Sequence, residues 1–174
     1  MAPYYTINLR IDPAFAERVD RAGLRAAARA ALGHQQAPGP GALSLMVSDD
    51  ARLRALNREF LGEDHPTDVL SFPSSETARG QAARGEADPE AGARYYGDIA
   101  ISLPAARAQA RAAKHSLLAE MQLLTVHGVL HLLGHDHARA KDKAKMWQAQ
   151  SDILAALARP PARRVRRAQG AKGS

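Results

Sequence analysis

The chain contains no cysteine, no long apolar run and no segment with the pattern of a signal peptide. The absence of cysteine among the 174 residues excludes disulfides and thiolate metal sites, and it is typical of proteins from a reducing compartment. No segment approaches the roughly 18 uninterrupted apolar residues that a membrane-spanning helix needs. The amino terminus shows no charged start followed by an apolar run. We therefore expect a cytoplasmic protein without a membrane segment.

Residues 1–158 also carry little net charge, because their basic and acidic side chains balance. Six of the 24 basic residues and none of the 18 acidic residues lie in residues 159–174, so the whole excess of +6 is there. This basic tail is rich in proline, glycine and arginine and is predicted to be disordered. It is either a salt-sensitive contact to a phosphate backbone or an inert terminus. Residues 1–158 have the size and apolar content of a single domain.

Histidine, by contrast, is concentrated in one place. Four of the seven histidines lie in residues 127–137, which read HGVLHLLGHDH. Imidazoles in an apolar segment are unfavourable unless they are bound by something. On a helix, His127 and His131 lie one turn apart on the same face, so both can bind one metal ion. A lone histidine there is more often a hydrogen-bonded core residue, but the pair favours a metal site.

A third ligand has to come from beyond this helix. His135 would lie roughly 12 Å further along a straight helix than His127, too far to bind the same ion. Gly134 can end the helix and turn the chain back. Either His135 or His137 can then return to the site. We favour His137, because the longer segment after the turn gives its side chain room to swing back.

The spacing HxxxHxxxxxH is that of the metzincin peptidases, but Gly128 occupies the position of their glutamate base. A peptidase is therefore disfavoured. Three neutral imidazoles suit one Zn²⁺ per chain with an open position, although they also bind manganese, nickel or iron. Such an ion polarises an anionic oxygen, for example that of a phosphodiester. Gly128 either opens a channel for a sugar-phosphate backbone or allows close helix packing.

Three segments resemble the YbeY family of bacterial ribosomal-RNA maturation factors, described as zinc-dependent endoribonucleases. They are HGVLHLLGHDH (127–137), PTDVLSFP (66–73) and GDIAIS (97–102), in the order of the family. The resemblance implies that His127, His131 and His137 bind zinc. It also implies a single-strand-specific endoribonuclease acting in maturation of the 16S ribosomal RNA 3′ end and in ribosome quality control. Implied partners are ribosomal RNA, the small ribosomal subunit, and a ribosomal protein or GTPase.

One departure from the family concerns catalysis. Leu61 stands where the family usually has an arginine thought to be needed for RNA cleavage, and leucine cannot stabilise developing phosphate charge. We predict that Arg58 or Arg54 substitutes, and we select Arg58 and Asp68 as candidate catalytic residues. Asp68 and Asp98 can approach the metal, or can tie down loop backbone. The alternative function is a ribosome-assembly factor that binds RNA, with a structural zinc and weak or no cleavage.

Hydrophobic periodicity predicts a single α+β domain, with a small mixed four-stranded sheet, about five helices and a metzincin-like metal helix. Strands are predicted over residues 4–10, 42–48, 69–72 and 96–102. Helices are predicted over residues 13–32, 49–60, 104–114, 117–133 and 141–157. A loop is predicted over residues 74–94. In the last helix, Met146 and Trp147 are predicted to lie in the core.

Overall fold

The structure is a computed structural model that describes residues 4–74, 86–87 and 93–160. The strands there are β1 (Tyr5–Ile11), β2 (Gly41–Ser48), β3 (Val69–Pro73), β4 (Glu86–Ala87) and β5 (Arg94–Ser102). The α-helices are α1 (Arg21–His34), α2 (Asp50–Leu61), α3 (Leu103–Ala113), α4 (Leu117–Leu132) and α5 (Ala140–Ala158). Within these ranges, no helix combines the length and apolar character needed to cross a bilayer.

The strands form one mixed sheet in the order β1-β2-β5-β3. Strand β2 is parallel to both β1 and β5, whereas β3 runs antiparallel to β5. The two-residue strand β4 pairs with the start of β5. The predicted α+β fold with a mixed sheet of four main strands and five helices is therefore confirmed.

The sheet has two different faces because side chains alternate along each strand. In β2, Leu43, Leu45 and Val47 are fully buried in the large core beneath α1, α4 and α5. Met46 points the other way and packs in a smaller cluster beneath α2, with Leu53. The helix that carries the histidines thus lies on the opposite face of the sheet from α2.

Two predicted element boundaries are wrong. The helix predicted over residues 13–32 is a single 3₁₀ turn at Pro13–Phe15 followed by a separate helix, α1. Asp20 begins α1 by accepting a hydrogen bond from the Gly23 amide at 2.8 Å, a capping bond that fixes the start there. The segment predicted to be a loop, residues 74–94, contains strand β4 and the first residue of β5. Ser74 and Ala93 are also described, and the other residues of this segment lie outside the described residues.

The last helix corrects a core prediction. Met146 is fully buried, as predicted, but Trp147 is 59% exposed. Helical periodicity explains the difference, because Met146, Ala149 and Ile153 form the buried stripe of α5 and Trp147 lies beside it. The predicted basic tail, residues 159–174, lies outside the described residues except for its first two.

Gly97 allows β3 and β5 to approach closely. Its φ of +132° is one that side-chain-bearing residues rarely adopt. A Cβ at this position would lie 2.2 Å from the carbonyl oxygen of Phe72, which is a backbone atom of the paired strand. The pairing of β3 with β5 therefore requires glycine here.

We expect Gly97→Ala to lower the free energy of unfolding by about 2–4 kcal/mol, from backbone strain plus overpacking. Urea denaturation monitored by circular dichroism measures the loss. Gly33→Ala is the matched control, because a Cβ at Gly33 near the end of α1 meets nothing within 4 Å. If both variants unfolded at the same urea concentration, the close approach at Gly97 would not be a constraint.

Candidate metal centre

Helix α4 holds two of the four clustered histidines on one face. Ser116 begins the helix by accepting a hydrogen bond from the Ala119 amide at 3.1 Å. Most of the helix surface is buried, while His127 and His131 are only partly so. Their Nε2 atoms lie 3.1 Å apart and their ring centroids 4.6 Å apart. Two imidazole nitrogens at this distance share either a proton or a cation, because two lone pairs would otherwise repel.

The end of α4 turns the chain back, as predicted for Gly134. This glycine has a φ of +90°. Its amide donates to the carbonyl of His131 at 3.0 Å, and the His135 amide donates to the carbonyl of Leu130 at 3.0 Å. This pair of bonds is the Schellman arrangement, which satisfies the last helical carbonyls while reversing the chain. The residues after Gly134 consequently return towards the face they have just left.

His137 returns to the two helical histidines. Its ring centroid lies 5.2 Å from that of His131 and 6.1 Å from that of His127. The Asp136 carboxylate fixes the backbone of this turn by accepting from the amides of His137 at 2.6 Å and Ala138 at 3.1 Å. The structure therefore brings together His127, His131 and His137, the three residues predicted to bind zinc.

The distances between the three histidine rings can be compared with those expected around one bound metal ion. Three imidazoles bound tetrahedrally through bonds of about 2.1 Å have centroids about 5 Å apart and ligand nitrogens about 3.4 Å apart. The observed centroid distances of 4.6–6.1 Å bracket that value. As they stand, no three histidine, aspartate or glutamate side chains of the described residues have the spacing of an occupied metal site. His137 is the widest-spaced of the three histidines, and its side chain is 57% exposed.

Burial keeps the two helical imidazoles uncharged. Burial, together with the smaller effects of the neighbouring His127 and His137, lowers the pKa of His131 to about 4. Burial also lowers the pKa of His127, against the opposing effect of the hydrogen bond that its Nδ1 donates to Gln150. Neutral imidazoles are the form that binds metal ions, so both rings are ready for a cation at neutral pH.

Gln150 on α5 orients the first histidine. Its Oε1 lies 3.1 Å from His127 Nδ1, so the proton of a neutral His127 belongs on Nδ1 and the lone pair is on Nε2, facing His131. Sequence reasoning missed this residue. The available signal was a polar residue on the helix that follows the histidine turn. Because Gln150 and His127 are 23 residues apart, no local sequence pattern reveals their contact.

His135, the alternative third ligand, points elsewhere. Its Nε2 lies 2.7 Å from Oε1 of Gln35, at the end of α1. That contact anchors the turn to α1 and directs the His135 ring away from the other three. The geometry favours His137 over His135 as the third ligand.

The candidate catalytic residue Asp68 is held by structural hydrogen bonds. Its Oδ1 accepts from the Val69 amide at 2.8 Å and its Oδ2 accepts from Gln109 of α3 at 2.9 Å. Its negative charge still acts on His127, whose pKa it raises slightly against the larger effect of burial. Asp68 is thus near the histidines, with both oxygens already engaged.

The structure decides between the alternatives that the sequence left open for Asp98 and Gly128. Asp98 cannot approach the metal, because β5 points Ile99 at α4 and Asp98 at the opposite face. There it accepts from Tyr95 at 2.8 Å and lines a cavity of about 380 Å³ with Arg10. Gly128 does not open a channel. A Cβ at Gly128 would lie 2.9 Å from the Ile99 side chain, so the glycine serves close packing of α4 on the sheet.

The candidate Arg58 lies near the end of α2, and no contact in the described ranges joins it to the histidines. Arg54 forms an ion pair with Asp64 at 2.8 Å, whereas the Arg58 side chain has no hydrogen bond or ion pair to the described residues. Arg58 contributes only a charge that lowers the pKa of Asp64, after the larger effect of Arg54. Leu61 is 53% exposed at the end of the same helix. Of the two arginines, Arg58 is the one free to meet a phosphate.

We expect NMR titration of the metal-free protein to place the midpoint of His131 near pH 4, well below that of exposed His65, whose pKa is raised by its bonds to Pro66 and Glu63. As the pH falls, His131 takes up its proton near pH 6.5 in the unfolded chain but only near pH 4 in the folded chain. The free energy of unfolding should therefore decrease as the pH drops from about 6.5 towards 4. A His131 midpoint at or above that of His65 would contradict the burial of this ring.

Comparison with known proteins identifies the family. A family model described as Endoribonuclease YbeY matches residues 11–158. Proteins named Endoribonuclease YbeY are 39% identical in Roseiflexus sp. (87% of this chain, 92% of the relative) and 40% identical in Chloroflexus aggregans (90% and 98%). A solution structure from Thermotoga maritima shares the fold, with a TM-score of 0.55 and 22% identity over 87% of this chain and 89% of that one. The chain belongs to the YbeY family.

Proposed function

We propose that this protein is a zinc-dependent endoribonuclease that cleaves single-stranded RNA during maturation of the 16S ribosomal RNA 3′ end and in ribosome quality control. The observation that carries the proposal is the gathering of His127, His131 and His137 at the end of α4. The shared name of the relatives supports RNA as the substrate. The proposed partners are ribosomal RNA and the small ribosomal subunit, with a ribosomal protein or GTPase.

The three imidazoles would hold one zinc ion per chain. When bound, that ion supplies a positive charge that polarises a phosphoryl oxygen and activates water. Gln150 fixes the ring of His127, and the helix-end turn at Gly134 positions His137. Because the imidazoles are neutral, they leave the charge of the ion undiminished for an anionic substrate.

The surroundings of the histidines favour a phosphodiester over a peptide. Gly128 occupies the place of the peptidase glutamate and is buried against Ile99, so no carboxylate follows the first histidine. Asp68, the nearest predicted acid, is engaged by the Val69 amide and Gln109. Without a carboxylate next to the first histidine, three neutral imidazoles and their ion would bind and polarise a phosphodiester better than they would hydrolyse an amide.

A second candidate function is a ribosome-assembly factor that binds RNA with weak or no cleavage. Leu61 is the observation that favours it, because an exposed leucine stands where the resemblance implies a phosphate-binding arginine. In that case zinc would stabilise the turn after α4 rather than act on RNA.

We expect His137→Ala to lose zinc affinity by about 10-fold or more, since one of three protein ligands is removed. His135→Ala is the matched control from the same turn and should retain zinc, because its ring contacts Gln35. Competition with a fluorescent chelator measures both. Retention by His137→Ala together with loss by His135→Ala would assign the third ligand to the other histidine.

Cleavage separates the two candidate functions. Wild type should cut a single-stranded ribosomal RNA fragment, and His131→Ala or a chelator should abolish cutting, while exposed His34→Ala should cut normally. Arg58→Ala should reduce cutting by about 10- to 100-fold if it replaces the missing arginine, whereas Arg54→Ala, whose partner is Asp64, should have little effect. Equal RNA binding by wild type and His131→Ala without any cutting would favour the assembly factor.

A further inference from the structure

The first half of α5 exposes an aromatic ring next to a cation. Trp147 is the single tryptophan of the chain and is 59% exposed. The Lys143 ammonium lies 5.3 Å from the centroid of its ring. A large aromatic surface in water is unfavourable unless a ligand covers it, and an amine over one part of the ring leaves the rest open.

This pair is on the flank of α5 that reaches the histidine site through Gln150. Lys143, Trp147 and Gln150 follow the i, i+4, i+7 spacing that places side chains on one flank of a helix. Gln150 on that flank contacts His127. Trp147 lies one turn nearer than Gln150 to the loop that carries His137. The exposed ring is therefore one helical turn from the residue of α5 that contacts the site.

The opposite flank of α5 has a different neighbourhood. Asp152 there lies 4.0 Å from His34 of α1. Lys145 lines a shallow surface depression with His135 and Asp142. Lys143 and Lys145 are thus two exposed lysines on different flanks of one helix, the first beside Trp147 and the second beside the turn that carries His135.

The chemistry of this surface selects its ligand. A flat aromatic face stacks on another aromatic group, and the adjacent cations attract an anion. The positive charge is dense, because Arg139, Lys141, Lys143 and Lys145 all occur between His137 and Trp147 while Asp142 is the single acid. Such density favours a polyanion that carries aromatic groups over an apolar protein surface or a second copy of this chain.

We propose that Trp147 stacks on an unpaired base of the RNA while Lys143 contacts a neighbouring phosphate, so that the strand is positioned beside His127, His131 and His137. This inference rests on the proposed function and adds a physical reason for the preference for single-stranded RNA. A base inside a duplex has no free face to offer, so the platform recognises single-stranded RNA.

The single tryptophan makes the stacking directly observable. Metal-free wild type, kept in chelator so that no cutting occurs, is titrated with a fluorescein-labelled single-stranded RNA oligonucleotide and with its duplex, while anisotropy reports binding. We expect saturable quenching of tryptophan fluorescence by the single strand and none by the duplex. Binding of the single strand without any change in Trp147 fluorescence would overturn the inference.

Variants separate stacking from folding and from charge. Trp147→Ala should weaken binding of the single strand by about 5- to 30-fold, as expected for loss of one base stack, and Trp147→Phe should restore most of it. Lys143→Ala should weaken binding and reduce its salt dependence, whereas Lys145→Ala, with the same charge change on the other flank, should do so less. Circular dichroism confirms that each variant is folded.

Removing a single base from the RNA tests the same stacking contact from the side of the ligand. A set of oligonucleotides with one abasic position each should contain a position that weakens binding to wild type but not to Trp147→Ala, because the stack is already lost in that variant. An equal penalty for wild type and Trp147→Ala at every position would overturn the inference. So would concentration-dependent dimerisation that Trp147→Ala abolishes without any effect on RNA affinity.

Failure of the inference can be told apart from failure of the proposed function. Quenching and the abasic effect in metal-free protein, with no cutting after zinc is added, would support the stacking platform and contradict the nuclease. Zinc-dependent cutting with unchanged affinity and rate in Trp147→Ala would support the nuclease and overturn the platform.

Discussion

The reversal of the chain at the end of α4 is the constraint on which the rest of the site depends. Two backbone hydrogen bonds, from Gly134 to His131 and from His135 to Leu130, close the helix and turn the next residues back. A continued helix would carry His137 about 15 Å along the axis from His127. Because the chain turns, three imidazoles from one short segment meet at one point, and no second part of the protein has to supply a ligand.

Burial then gives these imidazoles their chemistry. The apolar surroundings of α4 disfavour the charged form, so His127 and His131 stay neutral where an exposed histidine would begin to protonate. Gln150 selects which nitrogen of His127 carries the proton. The packing of Gly128 on Ile99 holds α4 against the sheet and fixes where the two rings emerge. The same contacts that stabilise the fold therefore orient the ligands.

Local features of this protein were predictable from the sequence, and long-range ones were not. The i, i+4 histidines, Gly134 and the periodicity of α4 depend on neighbours within two turns, so spacing alone located them. Gln150 meets His127 through helix packing, which no local pattern records. The position of Asp98 relative to the metal was left open, because the face of a strand depends on which helix covers it. Trp147 was misplaced because one residue of helical rotation separates it from the buried Met146.

In the proposed function, the exposed flank of α5 would connect the histidines to the substrate. Trp147 and Lys143 would contact a base and a phosphate, while the neutral imidazoles would hold the ion that acts on the strand. X-ray absorption at the zinc edge of purified protein tests the proposed metal centre most directly. We predict three imidazole nitrogens at about 2.1 Å from the zinc, one of them lost in His137→Ala. A spectrum without three imidazole ligands, or one unchanged in that variant, would contradict it.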